Sequence, residues 1–329
     1  MMRTEDIQIR DPFVLVHEGR YYLYGSTDKD IWKGPGVGFD VYFGDDLTNW
    51  SGPLPAFRPP GGFWGARNFW APEVYNYGGS FFMFASFIGQ GHMRGTAVLR
   101  SQSPEGPFTP WSDASPITQD CAVPLQSGAV PSQSGAAPSQ SGAAPLRSGC
   151  AVTPRGWMCL DGTLYIDQSG DPWLVFCHEW VQIGDGEVCA MQLVRDLSGA
   201  VSEPSVLFTS KQARWSRKAY SPSNNIEGYV TDGCFPYRLS SGVLLMLWSC
   251  MGDDGYCLGY AASETGLLSG PWVQAETPLF ASDGGHGMIF RALDGRLMLA
   301  LHRPNDTPRE RAVFIGIEET ETGLVIVES

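Results

Sequence analysis

The sequence predicts an all-β protein folded as a five-bladed β-propeller, and three observations carry that prediction. Its 329 residues include 11 Trp, 12 Tyr, 17 Phe, 40 Gly and 24 Pro, a composition suited to aromatic strands joined by tight turns. One unit then recurs along the chain, an alternating strand, a polar turn and a strongly apolar strand. Most copies also continue into a further strand and an edge segment, which makes five four-stranded units, the mark of a propeller.

The first unit is "DPFVLVHEGRYYLYGST" from Asp11, continued by "GFDVYFGDDLTNW". The second is "APEVYNYGGSFFMFASF" from Ala71, continued by "RGTAVLRSQSPEGPFTPW". The third, "DGTLYIDQSGDPWLVFCHEW", starts at Asp161, the fourth, "DGCFPYRLSSGVLLMLWSC", at Asp232, and the fifth, "GHGMIFRALDGRLMLALHRP", at Gly285. Each hairpin turn holds a glycine (Gly19, Gly78 and Gly79, Gly170, Gly242, Gly295) to supply the positive φ a tight turn needs. A β-sandwich would not explain five hairpins in the same internal order. We read residues 1–329 as one domain, interrupted at about 119–153 by a low-complexity insertion. Its core, residues 125–145, reads "LQSGAVPSQSGAAPSQSGAAP", and a proline in every heptad forbids a coiled coil.

Charge narrows the function. Lys and Arg number 22 against 35 Asp and Glu, a net charge of -13, so nucleic acid and anionic membrane surfaces are not expected partners. A neutral, small carbohydrate is compatible with that balance. The eight cysteines form no CxxC pair and no zinc spacing, and are expected as free buried thiols in a reducing compartment, with Cys121 and Cys150 flanking the insertion. The start, "MMRTEDIQIRDPF", has no apolar signal-peptide core and no window reaches membrane-spanning length, so a cytoplasmic location is expected. The sequence carries no signal for an oligomeric state.

Asp11, Asp161 and Asp232 each open the first hairpin strand of a unit. Equivalent positions on different blades converge on the propeller axis, so the three acids are expected to meet. A carboxyl cluster at a pocket floor is what glycosidic hydrolysis requires, with one group protonated to serve the leaving oxygen and another ionised to activate water. A third acid can raise the donor's proton affinity. Inversion would suit an acid-to-base separation of about 6.5–9.5 Å.

The order "RDP", "FWAPEV", "LDGTLYID" and a late "GGHG" on five blades resembles glycoside hydrolase family 43, over the whole chain except the insertion. The resemblance implies Asp11 as general base, Asp161 as modulator of the proton donor, and a donor at the start of blade four. That family usually has Glu-Gly-Pro there, whereas this chain has Asp232-Gly233-Cys234. Aspartate is shorter by about 1–1.5 Å, enough misplacement to matter. Asp232 is the favoured donor and Glu179, in "CHEW", the alternative; Glu227 reads as a solvated turn residue.

Around these acids, Glu73, expected to open blade two in the same register and face the pocket, Trp64, Trp70, Glu179, Trp180 and Arg291 are candidate substrate-binding residues. His286 opens blade five, and the resemblance implies a channel position near a cation, often calcium held through water. No cofactor is expected for the chemistry itself; calcium, if present, would be structural. The expected activity is inverting, exo-acting release of arabinofuranosyl or xylosyl units from plant-type oligosaccharides. The alternative is a non-catalytic sugar-binding propeller, which the Asp-for-Glu departure supports.

Overall fold

The computed structural model describes residues 1–89, 93–112 and 153–327. Residues 125–145, Cys121 and Cys150, on which sequence expectations fell, lie outside that range. Blade one holds β1 (Met2–Arg3), β2 (Arg10–His17), β3 (Arg20–Ser26), β4 (Phe39–Gly44) and β5 (Asn49–Phe57). Blade two is β6 (Arg67–Tyr77), β7 (Ser80–Ile88), β8 (Arg94–Ser101) and β9 (Thr109–Pro110). Blade three is β10 (Cys159–Ile166), β11 (Pro172–His178), β12 (Glu187–Gln192) and β13 (Ser205–Thr209).

A separate hairpin follows, β14 (Lys218–Ser221) with β15 (Ile226–Tyr229). Blade four comprises β16 (Asp232–Arg238), β17 (Leu244–Gly252), β18 (Gly255–Ser263) and β19 (Trp272–Gln274). Blade five comprises β20 (Gly285–Arg291), β21 (Leu297–Arg303), β22 (Arg311–Glu319) and β23 (Leu324–Ile326). Within each blade the strands pair antiparallel in chain order, with β1 added outside β5. Each first strand alternates toward a neighbouring blade, so the apolar cores lie between blades. Phe69, Phe87 and Met288 belong to the core around blade one, Trp248 and Phe208 to that between blades three and four. Six described cysteines are free and buried, as expected. Among the described residues no helix is long and apolar enough to cross a membrane.

One irregularity repeats five times and positions the site. Near its start, the first strand of every blade slips against the second: between Arg10 and Phe13, Trp70 and Glu73, Leu160 and Thr163, Asp232 and Phe235, and Gly285 and Met288. Such bulges carry a residue in the left-handed region and bend the strand. Here those residues are Asp11, Ala71, Asp161, Gly233 and His286, with φ of 51°, 46°, 51°, 56° and 52°. For a non-glycine residue this costs about 1–2 kcal/mol, and Asp tolerates it best of the side chains used here. The equivalence expected from the sequence is therefore corrected at two places. In blade four Gly233 holds the bulge position and Asp232 precedes it; in blade two the position belongs to Ala71, and Glu73 lies two residues beyond.

A belt of hydrogen bonds links the bulges. The N–H of Ala71 donates to Ser26 Oγ at 2.9 Å, that of Asp161 to Ser86 Oγ at 2.8 Å, and that of His286 to Ser249 Oγ at 2.8 Å. The N–H of Asp11 donates to His302 Nδ1 at 3.2 Å. In each case the acceptor is on the second strand of the preceding blade, opposite the residue before its bulge.

Candidate active site

Asp11, Asp161, Asp232 and Glu179 meet in one cavity of about 830 Å³ at the axial end of the blades. His286 joins the floor, its Nδ1 3.1 Å from Asp11 Oδ1 and 3.8 Å from Asp161 Oδ2. Gly233 is required beside it: its φ is positive, and a Cβ there would stand 2.7 Å from the His286 ring. That close approach is what lets Asp161 receive the Gly233 N–H, at 3.1 Å on Oδ2.

The carboxyls differ in environment. Burial works against the charge of Asp11, but the imidazole of His286, the guanidinium of Arg10 and the Ser26 hydroxyl (2.6 Å to Oδ2) outweigh it and hold Asp11 at about 2. Burial, then the charge of Asp11, pushes Asp161 up to about 7 against the Gly233 N–H and Arg94. Burial and the charge of Asp161 likewise push Asp232 up to about 7. Asp232 is half-buried and lines the cavity beside Asp161 and His286, and desolvation by the surrounding protein is the leading cause of its rise. The Tyr256 hydroxyl donates to its Oδ2 at 3.1 Å.

Glu179 follows β11 and is buried, ion-paired with Arg94. The same guanidinium lies over the Trp70 ring, 4.2 Å from its centroid. Trp70 lines the cavity with its Nε1–H donated to the carbonyl of Ile31, and Trp180 lines it from the short helix after Glu179.

Three expected members do not line it. Glu73 lies deeper in the channel, accepting from the Tyr75 hydroxyl, and burial raises it to about 7. Trp64 packs on Phe63 and Phe87 as part of the apolar core. Arg291 ends β20 at the opposite face, exposed, with Nη1 on the Gly295 carbonyl at 2.9 Å; a strand rises about 3.3 Å per residue, so five residues carry it far from His286. Glu227 belongs to β15 rather than a loop and pairs with Lys218 at the surface.

Several lining residues gave little sequence signal. Trp32, on the loop before β4, is 47% exposed, meets Trp70 edge-on and donates Nε1–H to Thr307 Oγ1. Tyr220, 57% exposed, faces the cavity from the β14–β15 hairpin. Arg94 followed no motif. Arg10 adjoins the "DP" pair and could have been singled out as a cation beside an acid.

A cation held directly beside His286 would need a set of protein oxygen donors. His286 Nδ1 is turned to two carboxylates, and among the described residues no group of three or more His, Cys, Asp or Glu is spaced to hold a metal. Calcium prefers six to eight oxygens, so these side chains do not make a protein-ligated calcium site.

A ring of carboxyls with opposed proton affinities, walled by aromatic and basic side chains on a five-bladed propeller, describes a glycoside hydrolase. The family model for glycosyl hydrolases family 43 matches residues 6–121 and 121–317, and the chain belongs to that family. An endo-arabinase from Bacteroides thetaiotaomicron VPI-5482 is 37% identical over 98% of both chains, with a TM-score of 0.80. An endo-1,4-beta-xylanase from the same organism is 24% identical over 98% of this chain and 95% of its own, with a TM-score of 0.67. An alpha-L-arabinofuranosidase from Lactobacillus brevis is 17% identical over 97% and 93%, also at 0.67. These last two share the fold. A comparison with curated proteins returned no match.

Proposed function

We propose that this protein is an inverting glycoside hydrolase that cleaves arabinose- or xylose-containing glycans, with Asp11 as general base, Asp232 as general acid and Asp161 as the modulator of the acid. One observation carries this reading: Asp11, Asp161 and Asp232 line one cavity around His286, in surroundings that hold Asp11 low, at about 2, and push Asp232 up to about 7. At neutral pH the first can take a proton from water while a fraction of the second can give one to the leaving oxygen. Ionised Asp161 strengthens the hold of Asp232 on that proton. Glu179 is committed to Arg94 and is assigned to sugar hydroxyls rather than proton transfer. The chemistry needs no cofactor.

Rim segments from several sides, Trp32–Lys33, Tyr220–Asn224 and Asn305–Thr307 among them, support a pocket that receives a chain end, hence exo action. The 37%-identical endo-arabinase supports the second reading, cleavage within a chain. Digestion of linear arabinan decides between them: exo action releases monosaccharide from the first time points, endo action a ladder of oligosaccharides. For the acid, Asp232→Asn is expected to lower kcat/KM by about 10³-fold, and Glu179→Gln to act mainly on KM. The reverse pattern would move the proton donor to Glu179.

A further inference from the structure

Blade three breaks the belt that links the bulges. Cys177 stands opposite Leu160, where the other blades have Ser26, Ser86, Ser249 or His302. The N–H that would meet it, that of Gly233, bonds instead to the Asp161 carboxylate. Blade one shows what a serine does there. Ser26 accepts the Ala71 N–H and donates its own hydroxyl to Asp11 Oδ2 at 2.6 Å. Asp11 and Asp161 hold the same bulge position, yet one carboxylate has this relay and the other does not. The Cys177 thiol is engaged with that of Cys234, which donates to the Asp161 carbonyl at 3.3 Å.

We propose that the serine at 26 and the cysteine at 177 set the two equivalent aspartates apart: Cys177 is a positioning residue that withholds a hydroxyl from Asp161 and leaves its carboxylate to the Gly233 N–H. The role of this difference in turnover rests on the function proposed above; the difference itself does not.

Other groups also face Asp161. The carboxyls of Asp11, Asp232, Glu73 and Glu179 oppose its charge, while Arg94 and His286 favour it. The Tyr256 phenol and the Cys177 and Cys234 thiols complete the surroundings. Of these, only the pair of Cys177 with Cys234 changes when sulfur is replaced by oxygen at position 177; the carboxyls, Arg94, His286 and Tyr256 stay as they are. A hydroxyl that donates to an ionised carboxylate favours that form, so Cys177→Ser should make Asp161 more acidic, by about one pH unit.

Two measurements on Cys177→Ser, with Cys177→Ala as the variant lacking any donor, test this. The first is independent of catalysis. Asp161 is raised above the ordinary carboxyl value of 3.8 to about 7, so the folded protein binds the extra proton between those values. Its contribution to stability is full below the unfolded value and is lost as pH rises toward the folded one. Cys177→Ser should shrink the fall in Tm between about pH 4.5 and 7.5, by about 1–2 °C, relative to both wild type and Cys177→Ala. The second is the pH profile of kcat/KM: the acid limb, where Asp161 must ionise, should move about one unit lower, with the alkaline limb in place. If the Tm profile of the serine variant matches that of the alanine variant, the proposal is overturned. If the Tm profile changes and the acid limb stays, the proposal stands and the assignment of Asp161 to turnover falls.

Discussion

Asp161 sits between two acids of opposite character. It accepts the Gly233 N–H, feels the charge of Asp11, and after burial is the largest influence on Asp232. Removing its charge should therefore weaken the hold of Asp232 on its proton. Asp161→Asn is expected to move the alkaline limb of kcat/KM on an aryl glycoside about one unit below the wild-type value; an unmoved limb would detach Asp161 from the proton donor. Asp11 and Asp161 were legible because Asp-Pro and Asp-Gly at a strand start suit a left-handed bulge. The exact register of Asp232 was not, since a bulge inserts one residue without marking which of two neighbours takes it. Arg291 was misplaced for a related reason: a residue on the right strand faces the site only within a few residues of the axial end.

At the level of elements, the blades were readable from hairpin spacing and turn glycines, whereas the rim was not. "SRKAYSPSNNIEGY" has neither repeat nor glycine-rich turn, and its folding into β14–β15 against the cavity depends on contacts with blade three, such as the Gly186 N–H on the Tyr229 carbonyl at 2.8 Å. Trp32 is likewise placed by Thr307 and Trp70, residues remote in sequence. The Trp32 ring offers a face for a sugar near the mouth of the pocket. Trp32→Ala is expected to raise KM about tenfold with kcat largely kept, since lost stacking affects bound substrate and transition state alike. Replacing residues 218–229 with a short glycine turn should open one wall, and digestion of linear arabinan should then yield longer products. An unchanged product profile would mean the hairpin does not limit chain length.

At the scale of the whole molecule, every blade is built from strands contiguous in sequence, and the chain start adds β1 to blade one's own outer edge. Among the described residues, therefore, no shared strand sews blades one and five together. Their seam holds the buried pair Arg10 Nη1–Glu310 Oε1 at 3.0 Å, the Asp11 N–H on His302, and the Leu293 N–H on the Tyr21 hydroxyl at 2.8 Å. Glu310 is fully buried, so Glu310→Gln leaves Arg10 short of a counter-charge and should cost about 3 kcal/mol, read as a lowered denaturation midpoint. A midpoint equal to wild type would show that the ion pair does not help to close the ring. Arg10, which fastens this seam, is also the chain neighbour of Asp11. On warming, a parting of the ring would pull Asp11, the carboxylate proposed to activate water, out of place while all five sheets are still intact. Activity should then fade at a temperature where far-ultraviolet circular dichroism is unchanged, and a crosslink between the first and last blades should bring the two temperatures together.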